Sequence, residues 1–154
     1  MIARPSCSQL VDAVRAELRT TVVPAVTDPQ AIAALQMADW LLGVIAVRAE
    51  HEIGWMREEI TEIGQLSEAV LAAGLDTSGA VAAALERQRA EASTSQHAGD
   101  VQREYDRAGD VLAEAIDATS AAPGPIRDAV QTVLTNRLER ELRIRGQFAL
   151  AGRQ

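Results

Sequence analysis

The stretch Met37–Trp55, MADWLLGVIAVRAEHEIGW, decides the fold. It is apolar from Met37 to Val47 except for Asp39, and it then passes into Glu50-His51-Glu52 between further apolar residues. It lies inside a longer pattern with helical spacing. One line reads Leu35, Leu42, Ala49, Met56, Ile63; a second reads Ile32, Asp39, Ala46, Ile53, Ile60. Intervals of seven on two adjacent lines form a heptad seam, as in a helical bundle or coiled coil. Asp28 before Pro29 is a helix-start signal, so one long helix is expected from Pro29 to about Ile63. Gly64 is expected to end or bend it, with a further turn or two stopping at Gly74. Between Met37 and Val47 the remaining faces are apolar too, which predicts a central helix buried on several sides.

Shorter helices surround this one. The first is expected from about Ser8 to Thr21, opened by Pro5 and Ser6 and closed by Pro24, with Leu10, Val11, Val14 and Leu18 on one face. The short TVVPAV stretch fits a turn. A helix from Gly79 to about Ala92 turns Val81, Ala84 and Leu85 inward. The polar residues 93–99 read as a flexible joint. From Asp100 onward Val101, Tyr105, Ala108, Leu112, Ala115 and Thr119 form a stripe. AAPGP then breaks the chain, and a last helix from Pro125 carries Ile126, Val130, Val133, Leu134, Leu138 and Leu142. Its charged end reads as a solvated face, with Glu139–Arg143 and Glu141–Arg145 at favourable i,i+4 spacing. The fold class is therefore all-α: residues 1–154 form a single helical domain, a bundle of about five helices around one long central helix.

Composition agrees. The 154 residues are 47% hydrophobic but only 3% aromatic, so the core is built from Ala, Leu, Val and Ile. The net charge of -7 argues against nucleic acid or an anionic membrane as partner. Every basic residue is arginine, which removes Schiff-base lysine chemistry and a lysine-dependent phosphate loop. Cys7 has no partner for an internal disulfide. The N-terminus lacks a signal-peptide core, and no apolar run is read as reaching the ~18 residues of a membrane span, so a cytoplasmic protein is expected.

Asp39 and Glu50 are the buried polar candidates. An unpaired charge in an apolar interior costs several kcal/mol. Asp39 must therefore be paired, protonated or at an interface; a structural ion pair and a ligand carboxylate both satisfy this. Gly43, Ala46 and Gly54 lie along the same side and would let another helix approach closely. His51 shares a stripe with Trp40, Val44, Val47 and Trp55. No Glu-x-x-His spacing, no paired zinc histidines, no Gly-rich nucleotide loop and no nucleophile elbow occur. Catalytic residues, metal ligands and cofactors are accordingly expected to be none. Trp40, Trp55 and their neighbours Arg48 and His51 are candidate interface anchors.

The opening RPSCSQLVDAVRAELRTTVVPAV, Arg4 to Val26, resembles the start of a small bacterial helical family. The match is carried by Arg4, Pro5, Ser6, Leu10, Ala13, Val14, Val23, Pro24 and Ala25, with Arg48 and Glu50 loosely matching an Arg-Glu pair that ends the family's next helix. The resemblance covers the first third to half of the chain. Genes of that family sit beside phosphotransferases of the aminoglycoside-kinase type and acyl-CoA dehydrogenase-like enzymes. The resemblance implies a non-catalytic accessory or assembly subunit, partnered with a hydroxyacyl-CoA kinase or an acyl-CoA dehydrogenase-like enzyme; separately, the heptad seam and the apolar-all-round helix need more cover than a few short helices give, so a homo- or hetero-oligomer is expected. The resemblance also adds Arg4 and Pro5 to the expected interface. A metal-binding or small-ligand-binding helical bundle is the alternative.

Overall fold

The computed structural model describes residues 4–121 and 124–146, and among them every regular element is helical. Helix α1 spans Cys7–Glu17. It opens with a capping box: Gln9 N–H donates to the Ser6 hydroxyl, and Ser6 N–H donates to the Gln9 side chain. Pro24 does not close this segment. The helix widens into a π-helical turn over Leu18–Val22 and continues as a short α2, Val23–Ala25. Proline lacks an N–H, and in a regular α-helix its ring strikes the carbonyl four residues back. The wider turn, in which Val23 N–H reaches the Leu18 carbonyl, takes Pro24 past that clash.

Helix α3 runs unbroken for 44 residues, Pro29–Ala72. The Asp28 carboxylate accepts from Ala31 N–H at 2.8 Å, as the Asp-Pro start signal predicts. Gly64 does not end the helix. Glycine there costs about 1 kcal/mol against alanine. Burial of Leu66, Ser67 and Val70 just beyond it outweighs that cost. The end comes at Gly74, with φ +67°. Gly74 N–H returns to the Leu71 carbonyl and Leu75 N–H to the Val70 carbonyl, a Schellman closure. Helices α4 (Ala80–Ala90), α5 (Ala98–Thr119) and α6 (Pro125–Arg145) follow. The Asp76 carboxylate caps α4 by accepting from Val81 and Ala82 N–H. Of the expected AAPGP break, residues 122 and 123 lie outside the described residues.

The chain divides into two compact units. One comprises the described residues up to Glu52 and from Glu141 on; the other runs from Ile53 to Arg140. The second holds the core. Ile63, Leu66 and Val70 of α3 pack with Val81 and Leu85 of α4, with Val111 and Leu112 of α5 and with Val130 and Val133 of α6. The α5 stripe faces inward as expected, with Tyr105 its one half-buried member.

In the first unit Ala46, 6% exposed, is the one buried residue among those described. The apolar-all-round start of α3 is thus not buried on several sides. Met37, Leu41 and Ile45 are large exposed apolar residues. Helix α1 and the end of α6 bond to the sides that carry Asp39 and Trp40, which leaves the opposite face open.

Candidate protein-interaction surface

Asp39 organises the inner side of the first unit. Its carboxylate accepts from Arg15 Nε at 3.1 Å and from Arg19 Nη2 at 2.7 Å, both on the preceding helical segment. Arg15 also pairs with Asp12 at 3.3 Å. Two acids and two arginines make a locally neutral cluster. Partial burial opposes ionisation of Asp39, but hydrogen bonds and charge from Arg19 and Arg15 together hold its carboxyl below the usual range. Gly43, one turn on, leaves room for this cluster: a Cβ there would sit 2.9 Å from Arg15 Nη2. The close approach read from the small residues is therefore made by a guanidinium of α1. Gly54 plays no such part; a Cβ there would meet nothing within 4 Å.

The outer side carries the exposed apolar residues. At about 100° per residue, Ala33, Met37, Leu41, Ile45 and Ala49 trace one slowly winding ridge, opposite Ile32, Asp39 and Ala46. All five are exposed. In the same unit Leu10 and Val14 on α1 and Leu142 on α6 are exposed as well.

The sequence-predicted interface residues fall as follows. Arg4 and Pro5, joined by a cis peptide bond, are exposed before α1. Trp40 is half-buried, and its indole N–H donates to the Arg145 carbonyl at 2.9 Å. Arg48 is exposed and pairs with Glu52 at 3.3 Å. His51 and Glu50 are both exposed, with Nε2 of one 4.0 Å from the carboxylate of the other. Glu50 is thus not a buried polar residue. Trp55 is half-buried and belongs to the second unit. Among the described residues, no group of three or more His, Cys, Asp or Glu side chains is placed to hold a metal ion.

The second unit contains an ionic network that the sequence did not reveal. Glu59, 3% exposed, accepts from the Tyr105 hydroxyl at 3.1 Å and pairs with Arg137 at 2.7 Å and Arg140 at 3.7 Å. Arg137 also donates to the Tyr105 oxygen and lies 5.5 Å over its ring. Burial, with the Glu59 charge beside it, pushes the phenol above its usual range against the pull of Arg137. Arg140 reaches Glu62 at 2.6 Å. Arg57 pairs with buried Glu104 and donates to the Ser93 and Ser95 carbonyls at 2.9 and 2.6 Å, so the expected flexible joint carries two hydrogen bonds from one guanidinium.

A signal for both glutamates existed. Glu59 is one turn before Ile63 on the line continued by Leu66 and Val70, and Glu104 sits between Val101 and Ala108 on the α5 stripe. The same unit holds a groove of 370 Å³ between α3 and α6, lined by Leu66, Ala69, Ala129 and Val133 with Glu62 and Asn136 among its polar residues. No family model, curated protein or solved structure matches this chain.

Proposed function

We propose that this chain is a non-catalytic helical assembly subunit that docks onto an enzyme. The observation that carries the proposal is the first unit, which leaves Leu10 and Val14 on α1 and Leu142 on α6 exposed and buries only Ala46 among its described residues. Large apolar side chains left exposed in this way are offered to a partner that covers them. The charged groups of the interior support a packing role, because Asp39, Glu59 and Glu104 are each held by arginines. Helix α3 meets the length and composition of a membrane span. The charged groups of α1 joined to Asp39 favour a protein-facing, cytoplasmic role for it instead.

The resemblance of Arg4–Val26 supplies the partner class: a hydroxyacyl-CoA kinase of the aminoglycoside-phosphotransferase type, or an acyl-CoA dehydrogenase-like enzyme. Trp40, Arg48, His51 and the Arg4-Pro5 segment of the same unit then flank the apolar contact. Co-expression with an enzyme of each class, followed by size exclusion, tests this. A fixed-ratio complex that Val14→Glu weakens by about tenfold or more is expected. Separate elution of both enzymes from this chain overturns the proposal.

The 370 Å³ groove favours one second reading, a small apolar ligand held between α3 and α6. Its signature is a rise in melting temperature with acyl-chain ligands that Ala69→Trp abolishes.

A further inference from the structure

We propose that the outer ridge of α3 is a two-fold interface, closed by a second copy of this chain running antiparallel. The ridge reads Ala33, Met37, Leu41, Ile45, Ala49, at steps of four. It is a palindrome in size about Leu41: alanine, long aliphatic, leucine, long aliphatic, alanine. An isologous contact requires a surface complementary to itself after a half-turn. A two-fold axis at Leu41 sets Met37 of one copy against Ile45 of the other, and Ala33 against Ala49. Rows at steps of four are also the ridges that most often interlock between helices in globular proteins. Met37, Leu41 and Ile45 are 43%, 48% and 50% exposed, so the ridge is available.

Charge selects the same occupant. From Pro29 to Val47 the sole charged residue is Asp39, and it is bound by Arg15 and Arg19 on the far side of the helix. A partner bringing charge to the ridge would find no counter-charge. A second copy presents the same uncharged stretch on either side of Leu41, with Asp39 turned away. In the antiparallel pairing, Arg48 and Glu52 of each copy lie opposite Ala34 and Gln30 of the other, so two chains of net charge -7 meet without like charges in contact. A parallel pairing would set Arg48 against Arg48 and Glu52 against Glu52.

Lipid is the other apolar occupant, and Pro29–Val47 spans about 28 Å as a helix, near a bilayer's apolar thickness. Asp12, Arg15 and Arg19, gathered on Asp39 near the middle of that length, oppose insertion. The ridge supplies five residues, against about 20–30 a side in a standard interface, so the dimer is reversible and concentration-dependent. It forms in the chain alone and does not require the enzyme partner proposed above.

Sedimentation velocity of the purified chain across a concentration series tests self-association, and disulfide trapping in a Cys7→Ser background tests the geometry. The expected results are a monomer–dimer equilibrium weakened at least about tenfold by Leu41→Glu with helical circular dichroism retained, self-cross-linking of Leu41→Cys, and cross-linking of Met37→Cys with Ile45→Cys in excess over Met37→Cys with itself. Four outcomes overturn it: a monomer at every concentration, a dimer indifferent to Leu41→Glu, Met37→Cys preferring itself, or a monomer that floats with phosphatidylcholine vesicles. Because no enzyme is present, failure here leaves the enzyme-docking proposal to its own co-elution test.

Discussion

Helix α3 passes through both units, and the two treat it differently. Before Ile53 it has the more apolar sequence and buries almost nothing. After Ile53 it is studded with Glu58, Glu59 and Glu62, yet it buries Ile63, Leu66 and Val70. Local hydrophobicity therefore does not decide what is inside. Burial needs covering elements, and α4, α5 and α6 supply core residues to the second unit. In the first unit the other described elements are α1, the π-helical turn after it, α2 and the last turn of α6. An apolar face that its own chain does not cover is surface for a partner, whereas a charged face that the chain does cover must neutralise itself. The exposed ridge and the Glu59–Arg137–Arg140 network are these two outcomes on one helix.

The largest expected effect compares the same substitution at two points of α3. Ile63 is 0% exposed and Ile45 is 50% exposed. Ile63→Ala removes core atoms and leaves a cavity, and should destabilise the chain by about 3–4 kcal/mol. Ile45→Ala should cost about 0.5 kcal/mol or less at concentrations where the chain is monomeric. Urea unfolding of both variants measures the difference. Equal costs would mean that Ile45 is buried in solution.

Next comes the network. Glu59→Ala leaves the Arg137 and Arg140 guanidiniums and the Tyr105 hydroxyl without their shared acceptor. Loss of one partner of a buried ion pair costs 3–5 kcal/mol, and the partial exposure of Arg137 places this case near about 3 kcal/mol. A far-ultraviolet melt of the variant checks it. A loss under about 1 kcal/mol would show that water reaches the network freely.

A smaller effect belongs to Asp39, whose side chain is 21% exposed. Its carboxyl is held below the ordinary value of 3.8 in the folded chain. A depressed acid stabilises the fold above its unfolded pKa, and that contribution is lost as pH falls through the folded pKa. Stability measured from pH 6 down to pH 2 should therefore drop less steeply below about pH 4 for Asp39→Asn than for the native chain. Asp76 in the second unit is also depressed, chiefly by the Ala82 N–H, so the difference between the two curves isolates Asp39. Superimposable slopes would show that the arginine pair does not favour the ionised carboxylate.

These comparisons also show where the sequence was legible. Signals that act over a few residues were readable: Pro5 and Ser6 before α1, Asp28 with Pro29, and the stop at Gly74. So was the α5 stripe, because one amphipathic face packed against one core specifies its own orientation. Three things depended on what the rest of the chain supplies. Gly64 and Pro24 carry breaking propensities that the helices around them absorbed through burial and through a widened turn. The Met37–Val47 run looked like a centre and was an edge, since no periodicity states how many neighbours a helix has. Glu59 lies on an apolar line, but its partners are 78 and 81 residues away, and charge on α6 looked like ordinary solvated surface. Of the candidate site, the Asp39 side chain was expected to need a partner, and Arg15 and Arg19 provide it. The ridge opposite was obscured by the expectation of burial.

The smallest expected effect sharpens the comparison at the level of a single methyl group. Gly43 and Gly64 both sit inside α3, where alanine is intrinsically favoured over glycine by about 0.8–1.0 kcal/mol. At Gly64 a Cβ would meet nothing within 4 Å, so Gly64→Ala should deliver most of that gain. At Gly43 the new methyl would stand 2.9 Å from Arg15 Nη2 and 3.0 Å from its Cζ. The guanidinium can give way, because it ends a flexible side chain. Moving it, however, stretches the 3.1 Å bond from Arg15 Nε to Asp39. Gly43→Ala should therefore be close to neutral, the propensity gain offset by a weakened ion pair. Chemical denaturation of the two variants, repeated in an Arg15→Ala background, separates the terms. With Arg15 removed, Gly43→Ala should recover about the same gain as Gly64→Ala. If it does not, the arginine is not what the glycine accommodates.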